Sequence, residues 1–126
     1  MTVALDASAL LAYLQRESGA DSVRRVLRGS IMSTVNWAEV VQRVPNQDMG
    51  RLGLRADLES LGLSFEPFSA VQAEIAGQLR EATKALGLSL GDRACLALGM
   101  DRDALVYTAD RAWTKLSLGV EVESIR

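Results

Sequence analysis

The chain has 126 residues, 48% hydrophobic and 24% charged, with a formal net charge of −2. That composition fits one globular domain with a sizeable core, and it lacks the broad positive field of a protein that grips nucleic acid by charge alone. There is no His and one Cys, Cys95, which excludes His-based triads, His or thiolate metal cages and internal disulfides. Any catalysis must rest on carboxylates, hydroxyls, cations, or a metal held by oxygen. Of the 14 cations only Lys84 and Lys115 are lysine. Arg suits bidentate phosphate contacts, although biased base composition produces the same excess. No basic segment precedes the first apolar run and Asp6 interrupts that run early, so neither a signal peptide nor a membrane span is expected. A cytoplasmic location is the default.

In chain order, Val3–Leu5 predicts a short buried strand. Asp6-Ala7-Ser8 turns it into a helix with Leu10, Leu11 and Leu14 on one face, and Gly19 marks the break after it. Residues 21–27 predict a second helix with Arg24, Arg25 and Arg28 outward; a solvated face and a phosphate-contact patch are both open for them. Residues 30–33 predict a second strand, followed by an N-cap at Ser33 or Thr34 and a helix over residues 34–44 that carries Asn36, Glu39 and Gln42. Pro45 disfavours helix in the residue before it. Residues 46–50 predict a loop and residues 49–61 a helix with Leu52, Leu54, Leu58 and Leu61, weakened by Gly53. Residues 63–66 predict a third strand closed by Pro67. Ser69 then caps a long amphipathic helix through Lys84, with Val71, Ile75, Leu79 and Ala82 inward.

The next stretch, LGLSLGDRACLALGM over residues 86–100, organises the rest. Gly91 and Asp92 open a helix that is nearly all apolar from Ala94 to Met100, so it should be largely buried. At about 100° per residue Asp92 shares a face with Cys95, Leu96 and Gly99. A carboxylate there is costly unless it caps the helix, pairs with a cation or binds a metal. Residues 104–107 predict a fourth strand. Thr108-Ala109-Asp110 leads into a short helix through Leu116, and residues 120–125 predict an edge strand. No repeat, low-complexity segment or linker is visible.

Short apolar strands alternating with helices imply a parallel sheet covered on both faces, with ligands beyond the carboxyl ends of its strands. Asp6, Asp110 and Asp92 sit at or near strand-to-helix junctions, where each also suits an N-cap. Glu39 lies too far into its helix for a capping box, leaving an exposed Glu or an i,i+4 pair with Arg43 as its ordinary explanations. The predicted topology brings all four acids to one edge of the sheet. Clustered carboxylates repel, and a divalent cation relieves that repulsion. With oxygen ligands only, Mg²⁺ or Mn²⁺ is the expected ion, and such an ion acidifies water for attack on phosphorus.

Four segments carry a resemblance: VALDASALLAY (residues 3–13), STVNWAEV (33–40), LSLGDRACLAL (88–98) and VYTADRAW (106–113). Together, in order and with matching spacing, they resemble the four motifs of PIN-domain nucleases, and more narrowly the VapC-type toxins of toxin–antitoxin pairs. The resemblance covers essentially the whole chain. It implies a single PIN domain over residues 1–126, of α/β class, with a three-layer fold in which helices flank a central parallel sheet of four to five short strands. It implies a Mg²⁺-dependent endoribonuclease whose acidic quartet is Asp6, Glu39, Asp92 and Asp110. Asp6 and Asp92 match the metal-holding positions; Glu39 and Asp110 match those that complete the site or position water. Ser8, Asn36 and Thr108 match supporting polar positions, where capping and turn hydrogen bonds also fit. Some members carry a further acid after the fourth motif. Here that neighbourhood offers Trp113, which leaves the number of ions at one or two.

The resemblance also implies an RNA substrate, a cognate antitoxin that blocks the acidic pocket, a homodimer and hetero-oligomers with the antitoxin, with no membrane partner. Arg93, Arg111 and Lys115 lie near the presumed site in sequence and are candidates for phosphate contact, with surface ion pairing as the ordinary alternative. Residues 21–27 and 49–61 are leucine-rich segments that could present apolar surface. The competing readings are a catalytically silent PIN-like module and a phospho-acceptor signalling domain. The latter needs an adjacent acidic pair after the first strand, whereas Asp6 stands alone; Asp-x-Asp phosphatases need an acid where this chain has Ser8.

Overall fold

A computed structural model of the chain describes residues 1–45 and 50–126. The loop expected at residues 46–49 and the helix start expected at Met49 lie outside the described residues. The elements run β1 (Val3–Leu5), α1 (Ala7–Leu14), α2 (Ala20–Val26), β2 (Ile31–Ser33), α3 (Thr34–Arg43), α4 (Gly50–Ser60), β3 (Ser64–Glu66), α5 (Ala70–Gln78), α6 (Arg80–Thr83), a 3₁₀ turn (Lys84–Leu86), α7 (Leu90–Arg102), β4 (Leu105–Thr108), a second 3₁₀ segment (Arg111–Lys115) and β5 (Val122–Ser124). The five strands form one sheet in the order β3-β2-β1-β4-β5, with every neighbouring pair parallel. This is the α/β architecture expected from the sequence.

Strand β1 sits at the centre, and its pleat divides the core. Val3 and Leu5 point to a cluster with Leu10, Leu11, Val23, Met32 and Leu58. Ala4, between them, points to the other face, among Cys95, Leu96, Leu98, Val106 and Trp113. Alternate residues of a strand face opposite sides, so a strand buried on both sides reads as a continuous apolar run. Helix α7 lies against β1, β2 and β4 and is buried from Ala94 through Gly99. A Cβ at Gly99 would stand 2.5 Å from Cγ2 of Val106, so the absent side chain is what lets the helix lie directly on the sheet. Helix α3 packs against both α1 and α7, bridging the two layers.

The stretch after Ser69 departs from the expectation. Ser69 does cap α5, but the single helix expected through Lys84 breaks at Leu79 into α5, α6 and a 3₁₀ turn. Its inward face is Gln72, Ala76, Leu79 and Thr83, while Val71 is 55% exposed and Ala82 is exposed. The reason is polar pairing. Buried Gln72 donates from Nε2 to Asp101 Oδ2 on α7 at 3.0 Å, and Thr83 Oγ1 donates back to Leu79 O at 2.8 Å, a bond that bends helices. Of the four residues expected inward, Leu79 is buried and Ile75 packs on the core, while Val71 and Ala82 give way to Gln72 and Thr83.

The other differences are smaller. The helix expected after Asp110 is a 3₁₀ segment, and β5 spans three residues. The apolar residues of the two leucine-rich segments mostly serve the core, since Val23, Leu27 and Leu58 are buried and Leu54 packs against the same cluster. Leu61, at the end of the second segment, is exposed, and so among the described residues are Met1, Val71, Leu86, Leu90 and Met100. No helix among the described residues is long and apolar enough to cross a membrane.

Candidate active site

The sheet order reverses at β1, with β2 and β3 on one side and β4 and β5 on the other. Such a switch point opens a crevice beyond the carboxyl ends of the strands. Asp6 follows β1 there, Thr108 ends β4, and Ala109 and Asp110 follow it.

Asp6 is 4% exposed. It is the N-cap of α1, accepting from the Ala9 N–H at 2.7 Å. Thr108 Oγ1 donates to Asp6 Oδ2 at 2.6 Å, and the Ser8 hydroxyl lies 2.7 and 2.9 Å from the two carboxylate oxygens. Burial lifts the Asp6 carboxyl from 3.8 to about 6; the bonds from Thr108, Ala9 and Ser8 pull it down, and the Asp92 charge pushes it up. Ser8 Oγ also accepts the Ala109 N–H at 2.9 Å, and Thr108 Oγ1 accepts the Asp110 N–H at 3.1 Å. The two hydroxyls therefore lock the end of β4 to the carboxylate after β1.

Glu39 reaches the crevice from α3. Buried Asn36 donates from Nδ2 to Glu39 Oε1 and to Gly91 O, each at 2.9 Å. Both partners are acceptors, which orients the amide with its NH₂ toward them. No Glu39–Arg43 ion pair occurs among the described residues. Gly91 has a reason the sequence alone does not reveal: a Cβ there would stand 2.5 Å from Glu39 Oε2. The only local signal is a glycine in a first helical turn, where a better helix former would be expected.

Asp92 is the third residue of α7 and forms a capping box with Ser89: its Oδ2 accepts the Ser89 N–H at 2.9 Å, and Ser89 Oγ accepts the Asp92 N–H at 3.1 Å. Beneath it lies the Cys95 thiol, which burial pushes up, with the charges of Asp6, Asp92 and Glu39 adding to the effect. All three charges are felt at the buried thiol, and Glu39 is tied to the start of α7 through Asn36 and Gly91 O. Asp110 stands at the rim, exposed, and its Oδ1 caps the 3₁₀ segment through the Ala112 N–H at 3.0 Å. All four acids lie at or beside the crevice, and Asp6, Asp92 and Asp110 also act as caps or capping-box partners.

The candidate cations are placed differently. Arg93 Nη1 donates to Ala76 O at 2.8 Å, which ties α7 to α5. Arg111 Nε donates to Arg126 O at 3.1 Å, and Lys115 is exposed in the 3₁₀ segment. Among the described residues no group of three or more Cys, Asp or Glu side chains is arranged so that it could hold a metal ion. The donors that face the crevice are all oxygens, and Asp6 and Asp92 repel each other. Mg²⁺ needs only one or two protein carboxylates and keeps several waters, so an open oxygen set fits it.

A family profile described as PIN domain matches residues 3–118. A search of curated proteins by sequence returned no match. Among solved structures the chain resembles a toxin–antitoxin complex from Klebsiella pneumoniae, with TM-score 0.81 and 18% identity over 98% of each chain. It also resembles a DNA-bound VapBC from Salmonella typhimurium, with TM-score 0.76 and 14% identity over 100% of this chain and 99% of that one. A third is VapBC2 from Rickettsia felis bound to a promoter DNA fragment, with TM-score 0.73 and 17% identity over 98% of each chain. At such identities the likeness speaks to the fold. The profile does more, because it spans most of the chain, all four acids included: the chain belongs to the PIN-domain family.

Proposed function

We propose that this chain is a Mg²⁺- or Mn²⁺-dependent endoribonuclease and the toxin component of a toxin–antitoxin pair. The observation that carries the reading is geometric: Asp6 and Asp110 lie just beyond the carboxyl ends of β1 and β4 at the switch point, and Glu39 is held against Gly91, the residue before Asp92, in a chain without His. The toxin assignment draws on the structural neighbours, whose titles describe toxin–antitoxin and VapBC complexes.

Asp6 and Asp92 would hold the ion, Asp6 on a rigid cap and Asp92 on a buried helix. A bound divalent ion supplies an acidified water and offsets charge on the phosphate. The protein's part is orientation. Ser8 and Thr108 fix the rotamer of Asp6, and Asn36 with Gly91 fixes that of Glu39. Glu39 and Asp110 complete the site and orient the attacking water. With its carboxyl near 6, Asp6 is mostly ionised at neutral pH and ready for a cation. The partners on this reading are RNA, a cognate antitoxin that covers the acids, and a second copy of the chain.

Purified protein incubated with single-stranded and structured RNA should cleave with Mg²⁺ and stop with excess chelator. Asp92→Asn should lower cleavage by about 100-fold or more, as expected for loss of a ligand that acts in the transition state. Cleavage that survives both chelator and Asp92→Asn rejects the mechanism. RNA binding without cleavage, lost in Asp6→Asn, would make the chain a silent binding module.

A further inference from the structure

An RNA strand approaching these carboxylates, on a chain of net charge −2, needs local positive charge to hold it. Arg93 is tied to a carbonyl of α5. Two other arginines share a cleft with Ser8. A cleft of about 440 Å³ runs along the outer side of α1, and its walls include Ser8, Gln15, Glu17, Arg43, Ala109 and Arg126. Ser8 belongs to both places, since its hydroxyl contacts the Asp6 carboxylate and accepts the Ala109 N–H. One end of the cleft therefore abuts the buried acid.

Arg126 is held in position: its Nη2 donates to Glu17 Oε1 and its Nε to Ser18 O, each at 3.0 Å. The first bond is an ion pair in which the charges of Glu17 and Arg126 cancel, so the net positive charge of the wall is that of Arg43, with Arg126 an oriented donor beside it. Arg43, the last residue of α3, is exposed at the same cleft. Two guanidinium groups, a carboxamide and a hydroxyl make a surface of donors suited to phosphate oxygens. A protein partner would want more buried apolar area than Leu11 offers here, and a basic partner side chain would be repelled.

We propose that this cleft is the groove in which Arg43 and Arg126 grip backbone phosphates of the RNA strand, leading it past Ser8 to the carboxylates. The assignment rests on the ribonuclease reading above and adds how the substrate is held. The test uses the full chain, a short fluorescein-labelled single-stranded RNA, and anisotropy in chelator over a salt titration. Arg43→Gln should weaken binding about tenfold, the loss of a charge-assisted bond, and flatten the log–log salt slope by about 0.7. Arg43→Lys should keep the slope, and Arg126→Gln should act like Arg43→Gln. Arg43 is exposed, so its variants should melt with the wild type, which separates binding from folding.

Cleavage of the same RNA by wild type in Mg²⁺ is measured in parallel. Cleavage together with unchanged affinity and slope in the Arg43 and Arg126 variants overturns the groove, leaves the nuclease reading standing and gives the cleft to a protein partner. Binding that Arg43→Gln weakens, without cleavage by wild type, supports the groove and overturns the nuclease reading. Absence of both binding and cleavage overturns both.

Discussion

Asp6 shows how a single residue can be locally ordinary and still carry a cost. As an N-cap it is expected from sequence, and the cap is present. What the local pattern does not show is its depth, or Thr108, which lies 102 residues away and donates to it. Burial raises the carboxyl to about 6, so between about pH 4 and 6 the native protein holds a proton that the unfolded chain has released. Stability attributable to Asp6 therefore falls as pH rises through that window, by about 3 kcal/mol in all, and is level above it. Asp6→Asn, neutral in both states, should lack this decline. Urea midpoints measured from pH 4 to 7 check it: an equal decline in wild type and Asp6→Asn would remove burial of this carboxyl as the cause. Arg93 teaches the opposite lesson. Its sequence neighbourhood suggested phosphate, but its side chain bonds a carbonyl on another helix, a partner no local pattern reveals.

At the scale of elements, α7 is the scaffold of the site, and its burial was legible because its apolar run is longer than one face requires. Its spacing from α3 was not. That spacing depends on Gly91, against which the Glu39 carboxylate closes, and on Asn36, which bonds both helices. Gly91→Ala separates the two roles of the residue. Alanine is the better helix former by about 1 kcal/mol, so the thermal midpoint should move little. Its methyl group would displace the Glu39 carboxylate, and cleavage should fall about 10- to 100-fold, as small misplacements of catalytic groups do. Thermal melting and cleavage rate on the same sample decide it; full activity in Gly91→Ala would show that the contact has no catalytic consequence. Helix α5 is the complementary case. Ile75 and Leu79 face inward as the apolar pattern implies, but Asp101 on α7 draws Gln72 inside with them and leaves Val71 exposed.

For the whole molecule, the fold concentrates like charge at the switch point and leaves a cation to relieve it. Mg²⁺ should therefore stabilise the native state by mass action, raising the thermal midpoint progressively with concentration at neutral pH. The increase should vanish in Asp6→Asn and in Asp92→Asn. A midpoint that rises equally in wild type and both variants would mean that the ion acts elsewhere.

The sequence by itself determined the order of most elements, the parallel α/β class, most of the caps and the acids Asp6 and Asp110 at the ends of β1 and β4. Those depend on chemistry within a few residues: pleat alternation, side-chain oxygens bonding N–H groups two or three positions on, and helical spacing. Tertiary structure alone decided which stripe of α5 is buried, what Arg93 bonds, why residue 91 is glycine, and that Arg43 and Arg126 share a cleft with Ser8. Each of those depends on a partner distant in sequence, as Asn36 and Gly91 are, 55 residues apart. Such pairings exist only after the sheet has assembled and brought the ends of β1 and β4 together with α3 and α7.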